Sequence, residues 1–188
     1  MTDTLDAVRD HAWARLLAGA RGRGDPFHQG VLANVAGEAP EARYAVLRAV
    51  DPETGTVAFH TDGRSPKVGQ LQADGQVAWC FFGHGEQLRL AGDVTLHHDD
   101  AFADAAWAAM GRLARRTYAV PLAPGSPIDD PLRARPSGEP DGADTRANFV
   151  LARVHVARLD WLSLALEGHR RASFVRAGSG WDASWLAP

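Results

Sequence analysis

The stretch Thr56-Val57-Ala58-Phe59-His60-Thr61-Asp62-Gly63-Arg64-Ser65-Pro66-Lys67-Val68-Gly69-Gln70-Leu71 changes its period halfway along. Up to Thr61 the residues Val57, Phe59 and Thr61 alternate with the twofold repeat of a β-strand. Asp62-Gly63-Arg64 is a tight polar turn. Ser65-Pro66 then opens a helix, because Ser is a good N-cap and Pro at the first helical position lacks only an N–H that would be unpaired there anyway. Such a helix start turns free backbone amides and the positive end of the helix dipole toward any anion. With the Thr61 hydroxyl and the Lys67 ammonium aimed at the same point, the segment reads as a phosphate seat. The competing reading is an ordinary capped surface helix with a solvated lysine.

The chain around this segment has 188 residues, a net charge of −3 and a single cysteine. That length fits one domain, taken as residues 1–188, with a substantial core. The charge balance disfavours a polyanionic partner such as nucleic acid. One cysteine excludes an internal disulfide framework and fits a reducing compartment. Cys80 sits in the apolar run Val77-Ala78-Trp79-Cys80-Phe81-Phe82 and reads as a buried, inert thiol. No apolar run reaches the length of a membrane span and the acidic N-terminus is no signal peptide, so a cytoplasmic protein without a membrane partner is expected.

The periodicity predicts a helix over Asp3 to Ala18, ended by Gly19-Ala20-Arg21-Gly22-Arg23-Gly24-Asp25-Pro26. Strands follow at Gly30 to Val35 and at Ala42 to Val50, the latter turning at Asp51-Pro52-Glu53-Thr54-Gly55. After the strand–turn–helix segment come strands Gln76 to Phe82 and Glu86 to His98, then a helix Asp100 to Arg116 with acids first and bases last. Pro121 to Asp144 is rich in Pro, Gly, Ser and Asp and reads as an irregular loop. Asn148 to Leu164 and His169 to Arg176 resume strand alternation, and Trp181 to Pro188 forms the tail. Six or seven mostly antiparallel strands with two helices point to a closed or half-closed barrel, mainly β, and not to a doubly wound sheet. Trp13, Trp79 and Trp107 fit core faces.

Three apparent motifs carry no chemistry. Gly83-His84-Gly85 begins like a dinucleotide fingerprint but links two strands and opens no helix. His97-His98-Asp99-Asp100 has no matching cluster elsewhere and reads as a strand-to-helix junction capped by Asp99 or Asp100, so no metal is expected. Arg170-Arg171 is too short for a nucleic-acid patch. Arg43 and Arg48 lie five apart on one strand and face opposite sides.

In order along the chain stand Arg43, Val46, Leu47 and Arg48 on one strand, and Phe59-His60-Thr61 on the next. Ser65, Lys67, Gln70 and Leu71 follow on the helix, then Gln87-Leu88-Arg89-Leu90-Ala91-Gly92, His169-Arg170-Arg171 and the closing Trp185-Leu186-Ala187-Pro188. Together they resemble the pyridoxamine 5′-phosphate oxidase family of FMN-binding split barrels, in its bacterial stand-alone, oxidase-like branch. The resemblance runs from about Gly30 to the C-terminus and is weak between Pro121 and Asp144. It implies an FMN-binding split β-barrel with flanking helices and a homodimer holding FMN at the subunit interface. By the same resemblance, Arg43 and Lys67 hold the FMN phosphate with Ser65 and Thr61 beside them. Val46, Leu47 and Arg48 line the ring and ribityl chain, the backbone of His60 touches the cofactor, and Gln87 bonds the flavin ring. Trp161 and Arg171 complete the pocket from the partner subunit, and His169 is the substrate-side, catalytic candidate.

Several positions depart from that pattern. Pro66 stands where the family has a basic residue, with Arg64 nearby as a substitute, and Arg48 stands where the oxidases have lysine. Glu167 stands where true oxidases have a substrate-binding arginine, and a carboxylate there repels a substrate phosphate. The substrate-phosphate cluster is not cleanly matched, although Arg112, Arg115, Arg116 and Tyr118 fall in that region. The cofactor half is therefore expected to be kept and the substrate half rebuilt. The function expected is an FMN-dependent oxidoreductase acting on a small molecule. The alternatives are a flavin carrier or sensor without oxidase turnover, and a reductase drawing on a nicotinamide or deazaflavin donor.

Overall fold

The computed structural model describes residues 4–188. Helix α1 (Leu5–Arg21) is capped by Thr4, whose hydroxyl accepts from the Ala7 amide, and the expected start at Asp3 lies outside the described residues. Its buried stripe, Val8, Ala12 and Leu16 at helical spacing with Trp13 beside it, packs into the core.

Nine strands share one sheet: β1 (Gln29–Ala36), β2 (Ala39–Val46), β3 (Ala49–Asp51), β4 (Thr56–Asp62), β5 (Gln76–Gly83), β6 (Glu86–His97), β7 (Phe149–Ser163), β8 (Arg170–Ala177) and β9 (Gly180–Leu186). All pairings are antiparallel, and the order is β2-β1-β5-β6-β7-β4-β3, with β8 on β7 and β9 on β8. The expected single strand Ala42 to Val50 is two, because the chain changes partner at Leu47-Arg48. The Leu47 amide still bonds His28 O at 2.9 Å, while the Arg48 amide bonds Ala58 O at 2.8 Å. The path of ladders is open, but its two end strands are thus consecutive pieces of one chain segment. That is the half-closed form of a barrel. The tail expected from Trp181 onward forms β9.

Alternation places one side chain in two inside. Leu32, Phe59, Trp79, Phe81, Leu88, Leu90 and Leu159 fill the interior, and all are almost wholly buried. Strand β7 carries the split: β6 runs along one of its edges, while β4 pairs with its first half and β8 with its second. Between Ala91 and Gly92 the register slips by one, with Ala157 bulged out of β7. At Gly92 a Cβ would lie 2.0 Å from the His155 carbonyl oxygen, so only glycine fits. The β5–β6 hairpin turns on His84 (φ 55°) and Gly85 (φ 72°), a two-residue turn of the kind that matches strand twist.

The helix expected from Asp100 to Arg116 is broken. Helix α3 (Ala101–Ala109) is capped by Asp100, which accepts from the Ala103 amide at 2.9 Å, and it stops before Met110-Gly111. Helix α4 (Arg112–Arg115) follows, in line with the helix-breaking tendency of glycine. A second core forms under α3, where Ala103 packs with Tyr118 and with Ala58, Phe149 and Leu151 on the outer face of β4 and β7. Residues 121–144 form no strand. They are tied down at their ends, where the Ser137 and Gly138 amides bond Ala119 O and a short helix Ala143–Ala147 follows.

Candidate functional site

Helix α2 (Pro66–Ala73) sits at the mouth of the barrel, against β1. Lys67, in its first turn, donates from Nζ to Thr61 Oγ1 at 2.9 Å, and Thr61 is buried on the inner face of β4. Arg43 reaches the same corner from β2, donating Nη1 to Asn34 Oδ1 and Nη2 to Glu41 Oε2 at 2.7 Å. The buried Asn34 in turn donates Nδ2 to Gln70 Oε1 at 3.0 Å, so the network joins β2, β1 and α2. Burial, reinforced by the Arg43 guanidinium, holds the Lys67 ammonium below the usual lysine range, against the pull of Asp62. Ser65 occupies the N-cap position, yet its hydroxyl makes no bond to the helix, unlike the expected cap.

Asn34 and Gln70 were not singled out as site residues by sequence. Asn34 left one signal, a polar residue in the core-facing register of an otherwise apolar strand. Arg64 does not supply the charge that Pro66 lacks. It is paired with Asp62 at 2.7 Å and donates to Val120 O at 3.0 Å, tying the turn to the 121–144 lobe.

Two neighbouring cations with two hydroxyls at a helix N-terminus form a donor set suited to a phosphate monoester. Bringing a dianion there offsets the repulsion between Arg43 and Lys67 that the chain alone leaves in place.

Arg48 and His60 lie on the other face of the sheet, as alternation requires. They line a cavity of about 570 Å3 bounded by β3, β4, β7, α3 and α4. Its wall includes Phe102, Ala109, Leu113 and Arg153, none of which stood out in the sequence. Burial, with Arg48 adding to it, lowers the His60 imidazole from 6.5 to about 4, and its ring meets Phe149 edge-on at 4.9 Å. Tyr118, buried under α3, is pushed up to about 12 by desolvation. Val46 lines a neighbouring recess with Arg48 and Tyr118. The side chain of Leu47 is wholly inside the barrel, so only its backbone is free to meet a ligand.

Gln87, Trp161, Arg171 and His169 gather elsewhere. Gln87 and Arg171 flank Leu162 on the outer face of the sheet. Arg171 donates to both oxygens of the buried Asp160, at 2.8 and 3.2 Å to Oδ2 and 3.2 Å to Oδ1, which raises its guanidinium further. Trp161 is 4% exposed, packed in the barrel core edge-on to His11, and its Nε1 has no partner among the described residues. His169 is exposed in the β7–β8 link beside the exposed Glu167. Thr61 pairs with Val150 and Arg171 with Leu162, twelve positions along β7. At about 3.3 Å per residue that is up to about 40 Å measured along the strand. Cys80 is half-buried on the outer face of β5, with burial raising its thiol. No group of three or more metal-ligating side chains occurs among the described residues, and no helix among them is long and apolar enough to cross a membrane.

Residues 10–98 match the family described as pyridoxamine 5′-phosphate oxidase, FMN-binding domain. Among solved structures, the chain is similar to a pyridoxamine 5′-phosphate oxidase-related, FMN-binding protein from Nostoc punctiforme. The two are 28% identical, the match covers 95% of this chain and 96% of that one, and the TM-score is 0.77. It also shares its fold with PhzG from Burkholderia lata, solved with tetrahydrophenazine-1-carboxylic acid, at 19% identity, 99% and 94% coverage and a TM-score of 0.73. General stress protein 26 from Bacillus anthracis shares it more distantly, at 13% identity, 80% and 93% coverage and a TM-score of 0.53. No curated protein matches the chain. By the domain match over residues 10–98 and the half-closed antiparallel barrel together, the chain is similar in sequence and in fold to the pyridoxamine 5′-phosphate oxidase-related, FMN-binding proteins.

Proposed function

We propose that this protein is a homodimeric FMN-dependent oxidoreductase acting on a small molecule, with its cofactor phosphate on Arg43, Thr61, Ser65 and Lys67. The observation that carries the reading is the Arg43–Lys67 pair, two part-buried cations at the start of α2 beside the buried Thr61 hydroxyl. FMN held there supplies a ring that takes a hydride from an amine- or alcohol-bearing carbon. The chain's part is positioning: Lys67 and Arg43 fix the phosphate, and Thr61 and Ser65 orient it with hydroxyl bonds.

The separation of the two groups along β7 supports a second chain at the site. Gln87 and Arg171 share the outer sheet face with Tyr44, Val31 and Phe82, and Tyr44 and Phe82 are 75% and 61% exposed. An apolar face of this kind, beside candidate ligand groups, supports a dimer that brings one chain's Gln87–Arg171 region to its partner's phosphate seat.

A second reading, flavin binding without pyridoxamine-phosphate oxidase turnover, is favoured by two features. Glu167 stands two residues before the exposed His169, and on the helical side of the cavity beside Arg48 the side chains of Ala106, Ala109 and Leu113 offer no bond to a substrate phosphate. Carrier, sensor and flavin-reductase roles belong to this reading. Anaerobic titration of FMN-loaded protein with pyridoxamine 5′-phosphate separates the two. Bleaching of the flavin band supports the oxidase. A yellow protein that does not bleach supports the second reading, and failure to take up FMN at all sinks both.

A further inference from the structure

The 570 Å3 cavity lies on the opposite face of β4 from the Lys67–Thr61 cluster, so a phosphate seated there leaves it open. Its size is that of a small-ligand site. One wall is hydrocarbon: Phe102, Ala106, Ala109, Met110 and Leu113 from α3, α4 and the break between them. Its lining also includes three arginines, Arg23, Arg48 and Arg153, and one carboxylate residue, Asp51. That carboxylate is engaged mainly in its own turn, with Arg153 adding a weaker pull that lowers it further. It accepts from the Thr54 hydroxyl at 2.7 Å and from the Glu53 and Thr54 amides.

Arg153, on the cavity lining, has its guanidinium over the Phe102 ring at 4.5 Å and donates to Thr56 Oγ1 at 3.5 Å. Arg48 makes no ion pair or side-chain hydrogen bond among the described residues, and His60, depressed to about 4, adds no positive charge at neutral pH. The cavity thus pairs an apolar wall with surplus positive charge. A phosphate ester requires several converging donors around three oxygens. Here the side chains of the helical wall offer only hydrocarbon and one thioether.

We propose that this cavity binds a planar, apolar monocarboxylic acid, its ring system against α3 and its carboxylate on Arg48 and Arg153. A role for that acid as substrate rests on the flavoprotein reading; the binding itself does not.

The test is calorimetric titration of 2-naphthoate into the full chain, once flavin-free and once after FMN reconstitution, with flavin uptake read separately by absorbance. Saturable binding is expected. It is weakened at least about tenfold by Arg153→Gln, the loss of one charge-assisted hydrogen bond. Ala109→Trp, at an exposed helix position that fills the cavity, weakens it similarly while leaving the thermal midpoint in place. Uncharged 2-naphthamide binds at least tenfold more weakly than the acid. The inference is overturned if naphthoate does not bind or if naphthamide binds equally well. It is also overturned if 2-naphthyl phosphate binds more tightly, or if neither substitution changes affinity. Flavin uptake without naphthoate binding defeats this inference and leaves the flavin reading intact. Naphthoate binding without flavin uptake does the reverse.

Discussion

Replacing Lys67 with methionine separates a ligand-holding lysine from a structural one. In the chain by itself the Lys67 ammonium is disfavoured, since burial and the neighbouring Arg43 guanidinium both press it toward neutrality. Its compensation is one hydrogen bond to Thr61 at 2.9 Å, worth about 1 kcal/mol net. Methionine keeps the buried stem, removes the repulsion and gives up that bond. The two changes oppose each other, and the expected change in stability is within about 1 kcal/mol, or roughly 4 °C in thermal midpoint for a domain of this size. With a phosphate in place the same ammonium makes a charge-assisted hydrogen bond worth about 1.5–3 kcal/mol, so FMN affinity is expected to fall about 10- to 150-fold. Fluorescence-quenching titration of FMN, paired with a thermal melt of the flavin-free protein, reads both quantities. Unchanged affinity places the phosphate elsewhere. A fall in midpoint well beyond 4 °C would show that Lys67 supports the fold, and the argument for a site poised for an anion would fail.

Three further outcomes are expected. His60 is held neutral by burial, with its imidazole lowered from 6.5 to about 4, so the unfolded chain binds the extra proton across that window. Its contribution, about 3 kcal/mol, is fully present above pH 6.5 and lost as pH falls toward 4. Urea melts of wild type and His60→Phe between pH 4 and 7 should show a shallower loss in the variant, and parallel curves would contradict this. Gly92→Ala puts a methyl 2.0 Å from the His155 carbonyl and should cost about 3 kcal/mol or more by forcing the β6–β7 bulge open, whereas an unchanged denaturation midpoint would mean that the bulge yields freely. Phe82→Asp, placed at a 61% exposed position of the outer sheet face, should convert the proposed dimer to monomer in light scattering and weaken FMN binding in parallel; a dimer that survives it uses another face.

The segment Thr56 to Leu71 was legible because its two periods and its turn chemistry are local. Strand β4, the Asp62–Arg64 turn and helix α2 lie within a residue of where the pattern puts them. The same holds for the strands flanking His84-Gly85 and for Asp100 as a cap. Elements whose ends depend on partners were less legible. Ala42 to Val50 alternates without interruption, and nothing local marks Leu47-Arg48 as the point where the chain leaves β1 for β4. Ser65 has the right residue type and position for a cap, but its hydroxyl points away from that role. Trp161 reads as an aromatic ready to stack on a ligand, whereas α1 covers the sheet and leaves it 4% exposed. The cavity under α3 had almost no sequence signal, because alanines on a helix describe a wall only once the strands opposite are known.

Local physics in the sequence thus determined the strands, the helix start at Ser65-Pro66 and the cation-and-hydroxyl character of the proposed phosphate seat, since each arises from residues within a few positions of one another. Only the tertiary structure decided which faces meet. It joined Arg43 to helix α2, which carries Lys67, through Asn34 and Gln70, contacts up to 36 residues apart in the chain. It put His60 and Thr61, neighbours in sequence, on opposite sides of one strand, and it paired Arg171 with β7 twelve positions beyond the partner of Thr61. The reason is the strand's own geometry. A twofold repeat tells which residues share a face, but long-range pairing alone determines what that face looks upon.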